Sequence, residues 1–243
     1  MRSIRRCLAR LAPLVAGAAG LVIALAIMGA SAARAQADPD TTYTVTTFDV
    51  APSAVAQTIA LLKQYRDAAR TQAGSLSVDL LQEAGSPNRF AIHESWSNRS
   101  AYDANEKTAH MAALRDGLRP LAGAPVDRRT YRPLTIGPAR TAGPGTVYMV
   151  LFLDVFPPGL QPTLAAVKDA VVAARKGEGN LRYDVEQEGV GLGNHMIFYA
   201  AWQNRDDFNA YEKSAYARHL RDIVGPLLGS PYDDRFTRFS TDH

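Results

Sequence analysis

The run His93-Glu94-Ser95-Trp96-Ser97-Asn98, followed by Tyr102 and His110, holds the side chains best suited to chemistry. A histidine titrates near neutral pH, so His93 or His110 can take a proton from a phenol or quinol. Trp96 offers a flat wall and an N–H donor to a planar molecule, and Trp202 offers the same further on. Glu94, Asn98, Tyr102 and Tyr199 are groups that can hydrogen-bond a ligand oxygen. Each has a plainer use. The two tryptophans would serve equally to close a sheet beneath a helix, His93 as a satisfied core histidine, His110 as a solvent-facing one. His93 and Glu94 are neighbours in an alternating stretch, so they point to opposite faces of a strand. His93 can therefore act only if its own face lines a cavity. His110 follows Glu106 by four residues, a spacing at which a carboxylate can orient an imidazole on one helix.

Other chemistries lack their residues. Two ligands such as Glu106 and His110, with no third nearby, are too few for zinc. The one cysteine, Cys7, stands in the N-terminal apolar region, leaving no thiol, disulfide or iron–sulfur ligand beyond it. Gly189-Val190-Gly191-Leu192-Gly193 leads into a strand and not a helix, which removes a phosphate-loop reading. No cofactor is expected.

The elements that must position these residues come in two copies. Tyr43 aligned with Tyr148 gives a match that continues, after one inserted residue in a turn, to Trp96 on Trp202 and Arg132 on Arg238. Ala68-Ala69-Arg70 falls on Ala173-Ala174-Arg175, and Leu114-Arg115-Asp116 on Leu220-Arg221-Asp222. Asp127 and Arg129 recur as Asp233 and Arg235, which suits fold or interface residues. In each copy a Thr/Val/Phe strand (Tyr43–Val50) precedes a helix from Pro52 to about Thr71, whose apolar Val55, Ile59, Leu62 and Tyr65 keep helical spacing. Leu76–Gln82 and Arg89–Trp96 alternate around a Gly85–Asn88 turn. Ser97 or Asn98 caps a second helix from Arg99 to Leu118, and Arg128–Leu134 is the last strand. The order is βαββαβ, an α+β ferredoxin-like sandwich. Strand Val147–Leu153 is apolar throughout, so both its faces need cover. Helices supply one cover and the sheet of the other repeat the second. The two domains, 42–135 and 147–240, are thus expected to pack sheet to sheet as a closed or nearly closed barrel, with residues 136–146 as linker.

The segment Phe90–Asn98, with Tyr102, His110, Leu114 and Pro120-Leu121, resembles the antibiotic-biosynthesis monooxygenase family, which includes quinol-monooxygenase-like proteins. The likeness covers both repeats. It implies the dimeric α/β-barrel fold, with a Glu-x-Trp closing the third strand and two histidines on the following helix. In some members it implies cofactor-independent oxygenation of quinols or other electron-rich aromatics. Glu94, Trp96 and His110 match that pattern, while Asn105 stands where the first histidine is usual. In the second repeat Ala200, Tyr211 and Tyr216 replace the glutamate and both histidines, and only Trp202 is kept. A site is therefore expected in the first repeat. A heme-degrading role has no matching histidine. The other class of function open to such a chain is non-catalytic: a barrel that binds a small hydrophobic ligand or a protein, or a homo-oligomer.

The first 37 residues read as an export signal. Arg2, Arg5, Arg6 and Arg10 precede the apolar run Leu11–Met28, and small-x-small motifs end at Ala32 and Ala35. A cut after Ala35 or Ala37 would release a periplasmic or secreted protein. Retained, the stretch between Arg10 and Arg34 is long enough to span a bilayer, and would be the chain's contact with a membrane. Residues 1–35 hold five of the 27 basic residues and none of the 24 acidic ones. The remainder is slightly acidic and carries no basic stripe, so nucleic acid is not an expected partner.

Overall fold

In the computed structural model, residues 38–189 and 193–229 are described, with the backbone of 239–240. The export signal expected over 1–37, the glycine loop at 190–192 and the Asp233–Arg235 pair lie outside the described residues. The first repeat runs β1 (Thr42–Asp49), α1 (Val55–Arg70), β2 (Ser75–Glu83), β3 (Ser86–Trp96), α2 (Arg99–Asn105), α3 (Ala109–Leu118) and β4 (Asp127–Thr135). The second runs β5 (Val147–Asp154), α4 (Leu160–Ala174), β6 (Asn180–Glu188), β7 (His195–Trp202), α5 (Arg205–Glu212), α6 (Ala215–Val224) and the two-residue β8 (Phe239–Ser240). Among the described residues no helix is long and apolar enough to cross a membrane.

The strands form one closed antiparallel barrel in the order β1-β3-β2-β8-β5-β7-β6-β4. Within the first repeat β1 lies between β4 and β3, and β2 lies outside β3. The repeats join at their edges: β4 pairs with β6, Tyr131 opposite Glu188, and β8 bridges β2 to β5. The inner faces meet as expected, and the edge pairings of β4 with β6 and of β8 with β2 and β5 close the two sheets on each other.

Alternation along each strand sends one set of side chains under the helices and the other into the barrel. On β5, Val147, Met149, Leu151 and Leu153 pack beneath α4 and α6 with Phe198 and Trp202. Val150, Tyr148 and Phe152 face inward to Tyr43, Val45, Leu81, Tyr131 and Tyr199. A third cluster, with Leu62, Tyr65, Phe90, Ile92 and Trp96, lies beneath α1 and α3. Each fully buried large apolar side chain contributes about 1.5–3 kcal/mol, so the three clusters together are what hold a chain with no disulfide.

Two local features position the first repeat's polar residues. Gly74, at the turn from α1 to β2, has φ +81°, and a β-carbon there would sit 2.5 Å from that of Ala101. Its counterpart Gly179 has φ +76°; only glycine enters this region without strain. The second feature corrects the expectation of one helix over Arg99–Leu118. The helix breaks after Asn105, and Thr108 restarts it as N-cap, its hydroxyl accepting from the Met111 N–H. Ser214 does the same for α6. A hydroxyl at the cap satisfies a donor that the next turn would otherwise leave open.

Candidate functional site

On the helix-facing side of the first repeat, polar residues stand where a core would be apolar. Glu94 of β3 is fully buried. Its Oε2 accepts from Thr44 Oγ1 at 2.8 Å and from Arg128 Nη1 at 2.6 Å, and its Oε1 accepts from the Tyr65 hydroxyl at 2.5 Å. Tyr65 in turn accepts from Asn105 Nδ2 at 3.0 Å, and Asn105 Oδ1 lies 2.9 Å from His110 Nε2. With the amide so oriented, Nε2 carries the proton and His110 Nδ1 keeps its lone pair. Every donor in the chain His110–Asn105–Tyr65–Glu94 thus points toward one carboxylate. Burial pushes the Tyr65 hydroxyl far above its ordinary range, and the Glu94 carboxylate adds to the shift, so Tyr65 remains a donor.

Arg128 is the cation of this group. Its Nη1 also donates to Thr46 Oγ1 at 2.6 Å, its Nε donates to Glu106 Oε1 at 3.1 Å, and its guanidinium lies 5.6 Å from the Tyr102 ring centre. Thr46 and Arg128 form part of the wall of a cavity of about 370 Å³ between the sheet and α3, whose remaining wall includes Met111, Leu114 and Leu118. An apolar cleft ending on a guanidinium and a hydroxyl is suited to a planar molecule carrying a phenolic or enolic oxygen. The cation favours the ionised form of an acid placed beside it, and more strongly where water is excluded.

Among its described residues the second repeat builds no such group. Met149, Leu151, Ala170, Ala200, Tyr211 and Tyr216 align with Thr44, Thr46, Tyr65, Glu94, Asn105 and His110. The space is filled with rings: Trp202 lies 4.5 Å from Tyr211 and 5.2 Å from Phe208, and the Tyr183 and Tyr211 hydroxyls bond each other at 3.0 Å.

The residues nominated from sequence fall into four places. Glu94 and Tyr102 belong to the polar group of the cleft. Trp96 and Trp202 are core residues under the helices, each at most 1% exposed. Asn98 is the exposed N-cap of α2, accepting from the Ala101 N–H. His93 and Tyr199 lie inside the barrel, on the far side of the sheet from Glu94, as the alternation required. There His93 Nε2 is 2.7 Å from Glu186 Oε1, both side chains are fully buried, and the imidazole stacks on Tyr199 at 3.7 Å. The Tyr199 hydroxyl donates to Asp79 at 2.9 Å, and Arg182 sits 4.7 Å above its ring. His93 and Tyr199 are aligned positions, so each repeat reaches a carboxylate on the other from the same point of the fold.

The expected pairing of His110 with Glu106 is replaced by another. The helix break puts them on different elements, so the i,i+4 geometry does not exist. His110 bonds Asn105, and Glu106 bonds Arg115 and Arg128. Sequence reasoning passed over Tyr65, Thr44, Thr46 and Arg128. The signal was present: these are polar positions of the first repeat whose partners in the second are Ala170, Met149, Leu151 and Asp234.

Burial holds His110 below the usual histidine range, with Glu94 opposing the shift. A pKa lower in the folded than in the unfolded chain means the unfolded chain binds more protons. The neutral imidazole's contribution is then complete above about pH 6.5 and is lost as pH falls through the folded pKa. His110→Gln is expected to flatten the decline in thermal midpoint between pH 7 and pH 5 relative to wild type, as read by circular dichroism. An unchanged slope would remove His110 from the acid sensitivity of the fold.

A family model described as antibiotic biosynthesis monooxygenase matches residues 41–117 and again 146–222. No curated protein matches the chain. Among solved structures, a protein of Lactobacillus acidophilus provisionally assigned as a monooxygenase superposes with TM-score 0.66 at 12% identity, covering 83% of this chain and 93% of its own. One of Fusobacterium nucleatum with the same provisional assignment gives 0.69 at 12% identity, covering 78% and 88%. A protein described as anthrone oxidase-like gives 0.68 at 14% identity, covering 85% and 93%. At such identities the likeness is one of fold.

Proposed function

This chain belongs to the antibiotic biosynthesis monooxygenase family, and from that premise we propose that it oxidises a quinol or another electron-rich aromatic with O2. The observation that carries the reading is the contrast between the repeats. Only the first keeps a buried Glu94–Arg128 pair at the end of an apolar cavity, while the second has Ala200 and Asp234 at the aligned positions. A fold alone would not need the expense of burying that ion pair once and omitting it once.

In this reading the aromatic body lies against Met111, Leu114 and Leu118, and its hydroxyl meets Arg128 and Thr46. Arg128 favours the phenolate, and the proton leaves to water through the open mouth of the cleft. The anion is the better reductant and passes electrons to O2, and recombination forms a C–O bond as a peroxide. Heterolysis of its O–O bond leaves one oxygen on the substrate and releases the other as water. For a hydroquinone, one quinol and one O2 give one hydroxyquinone and one water, the quinol supplying both electrons needed beyond the inserted atom. For an anthrone, the ring CH2 becomes a carbonyl with the same loss of water. Glu94 is a positioning residue here: three donors hold it still, and it holds the guanidinium. His110 supports that arrangement through Asn105, whose amide does not readily pass a proton along. The His93 pair inside the barrel takes no part.

An oxygen-electrode screen of substituted hydroquinones and an anthrone against the purified protein, with and without a metal chelator, tests the reading. Uptake above the autoxidation rate, unaffected by chelator, is expected for at least one compound. A ligand retained in the purified protein with no uptake on any of them would instead favour a binding protein.

A further inference from the structure

We propose that the cleft of the first repeat takes an aromatic acid, a planar phenolic body that also carries an ionised carboxylate, bound by Arg119 and Arg115 at the cavity's mouth. The inference rests on the reading above only for where the substrate's hydroxyl sits. It is carried by the charges of the cavity wall, which includes three guanidiniums, those of Arg115, Arg119 and Arg128, and no carboxylate.

The three are graded in depth. The Arg128 side chain is 14% exposed, Arg115 49% and Arg119 78%. The deep cation is the one placed to meet a hydroxyl, and the outer two are placed to meet a second group at the far end of a ligand. Arg115 and Arg119 are one helical turn apart, Arg119 just past the end of α3. Like charges at that spacing oppose each other. Their acids lie elsewhere: Glu106 takes Arg115 at the break before α3, and Asp116 takes Arg119 at 2.8 Å on the exposed surface. Asp116 engages only Nη2 of Arg119, which leaves further N–H donors of a planar fork suited to a carboxylate. Glu94 and Glu106, the other acids near the cleft, are both engaged by Arg128.

The repeats separate an arginine that also serves the fold from two that the first repeat alone carries. Arg115 recurs as Arg221, and both bond the carbonyl at the end of the preceding helix, that of Glu106 or Glu212. Arg119 and Arg128 do not recur: Gly225 and Asp234 stand in their places. The two cations confined to the first repeat are thus the ones at the two ends of its cavity, and the second repeat has neither.

Calorimetric titration of the full chain under nitrogen, where no turnover occurs, tests the proposal with 2,5-dihydroxyphenylacetate and its neutral amide. The acid is expected to bind at least about tenfold more tightly, with the preference shrinking as salt is raised. Arg119→Gln should weaken the acid by about fivefold and leave the amide unchanged. Arg205→Gln, an exposed arginine of the second repeat, should change neither. Equal binding of acid and amide, failure of both to bind, or equal weakening of both by Arg119→Gln would overturn the proposal. Acid preference under nitrogen with no oxygen uptake in air would uphold it while overturning the monooxygenase reading; uptake on neutral quinols with no acid preference would do the reverse.

Discussion

Replacing Arg128 by glutamine is expected to lower kcat/KM on the best aromatic substrate by about a hundredfold to a thousandfold, the scale seen when a donor to a developing oxyanion is removed. The same change strands Glu94, which is fully buried and 2.6 Å from the guanidinium. Loss of one partner from a buried pair costs about 3–5 kcal/mol, so thermal unfolding will move as well. The two effects separate in the double variant Arg128→Gln/Glu94→Gln. There no charge is left unpaired, and most of the stability should return while turnover stays low. Turnover that recovered along with stability would mean that Arg128 serves the fold alone. Tyr216→Phe in the second repeat supplies the control, with activity close to wild type.

His93→Ala is expected to do the opposite: a large loss of stability with turnover per folded molecule unchanged. Its imidazole is the partner of Glu186 inside the barrel, where neither side chain has any exposure. Removing it leaves a buried carboxylate without its donor, a loss of about 3–5 kcal/mol. The paired change His93→Leu/Glu186→Leu keeps an apolar interior and should regain most of that, since buried ionic pairs often contribute little net stability over apolar groups of similar size. Denaturant unfolding and kcat measured on the same preparations check both statements. A stable His93→Ala protein with turnover lost a hundredfold would restore the histidine as the proton acceptor that its titration range suggested.

The fold was legible because it is written twice. Strand Val147–Leu153 is apolar on both faces, a pattern only a doubly covered strand tolerates, and it pointed to the two repeats meeting through their sheets, in one chain or by exchange between chains. The break between Asn105 and Ala109 was harder to see. Residues either side of it keep helical propensity, and the only mark is a hydroxyl at Thr108 and Ser214, a residue type equally at home on an exposed helix face. The opposed faces of His93 and Glu94 followed from strand alternation. What each face meets did not, because Glu186 is 93 residues away in sequence and its pairing depends on how the two sheets close. Arg128 and Tyr65 stayed hidden for a related reason. Tyr65 keeps helical spacing with apolar neighbours and reads as core, which its ring is, while its hydroxyl belongs to the cleft. Arg128 stands in the charged run Asp127-Arg128-Arg129 that opens β4, and nothing local distinguishes it from Arg129, whose own partner is Asp127.

The most direct test of the account is turnover under labelled dioxygen. The full chain, given 18O2 and the aromatic that the oxygen-electrode screen selects, should yield product carrying one labelled oxygen and labelled water in equal amount. Labelled product should form about a hundredfold or more slowly with Arg128→Gln and at close to the wild-type rate with Tyr216→Phe. Product without label, or labelled product formed as fast by the Arg128→Gln protein, would contradict a monooxygenase site in the cleft of the first repeat.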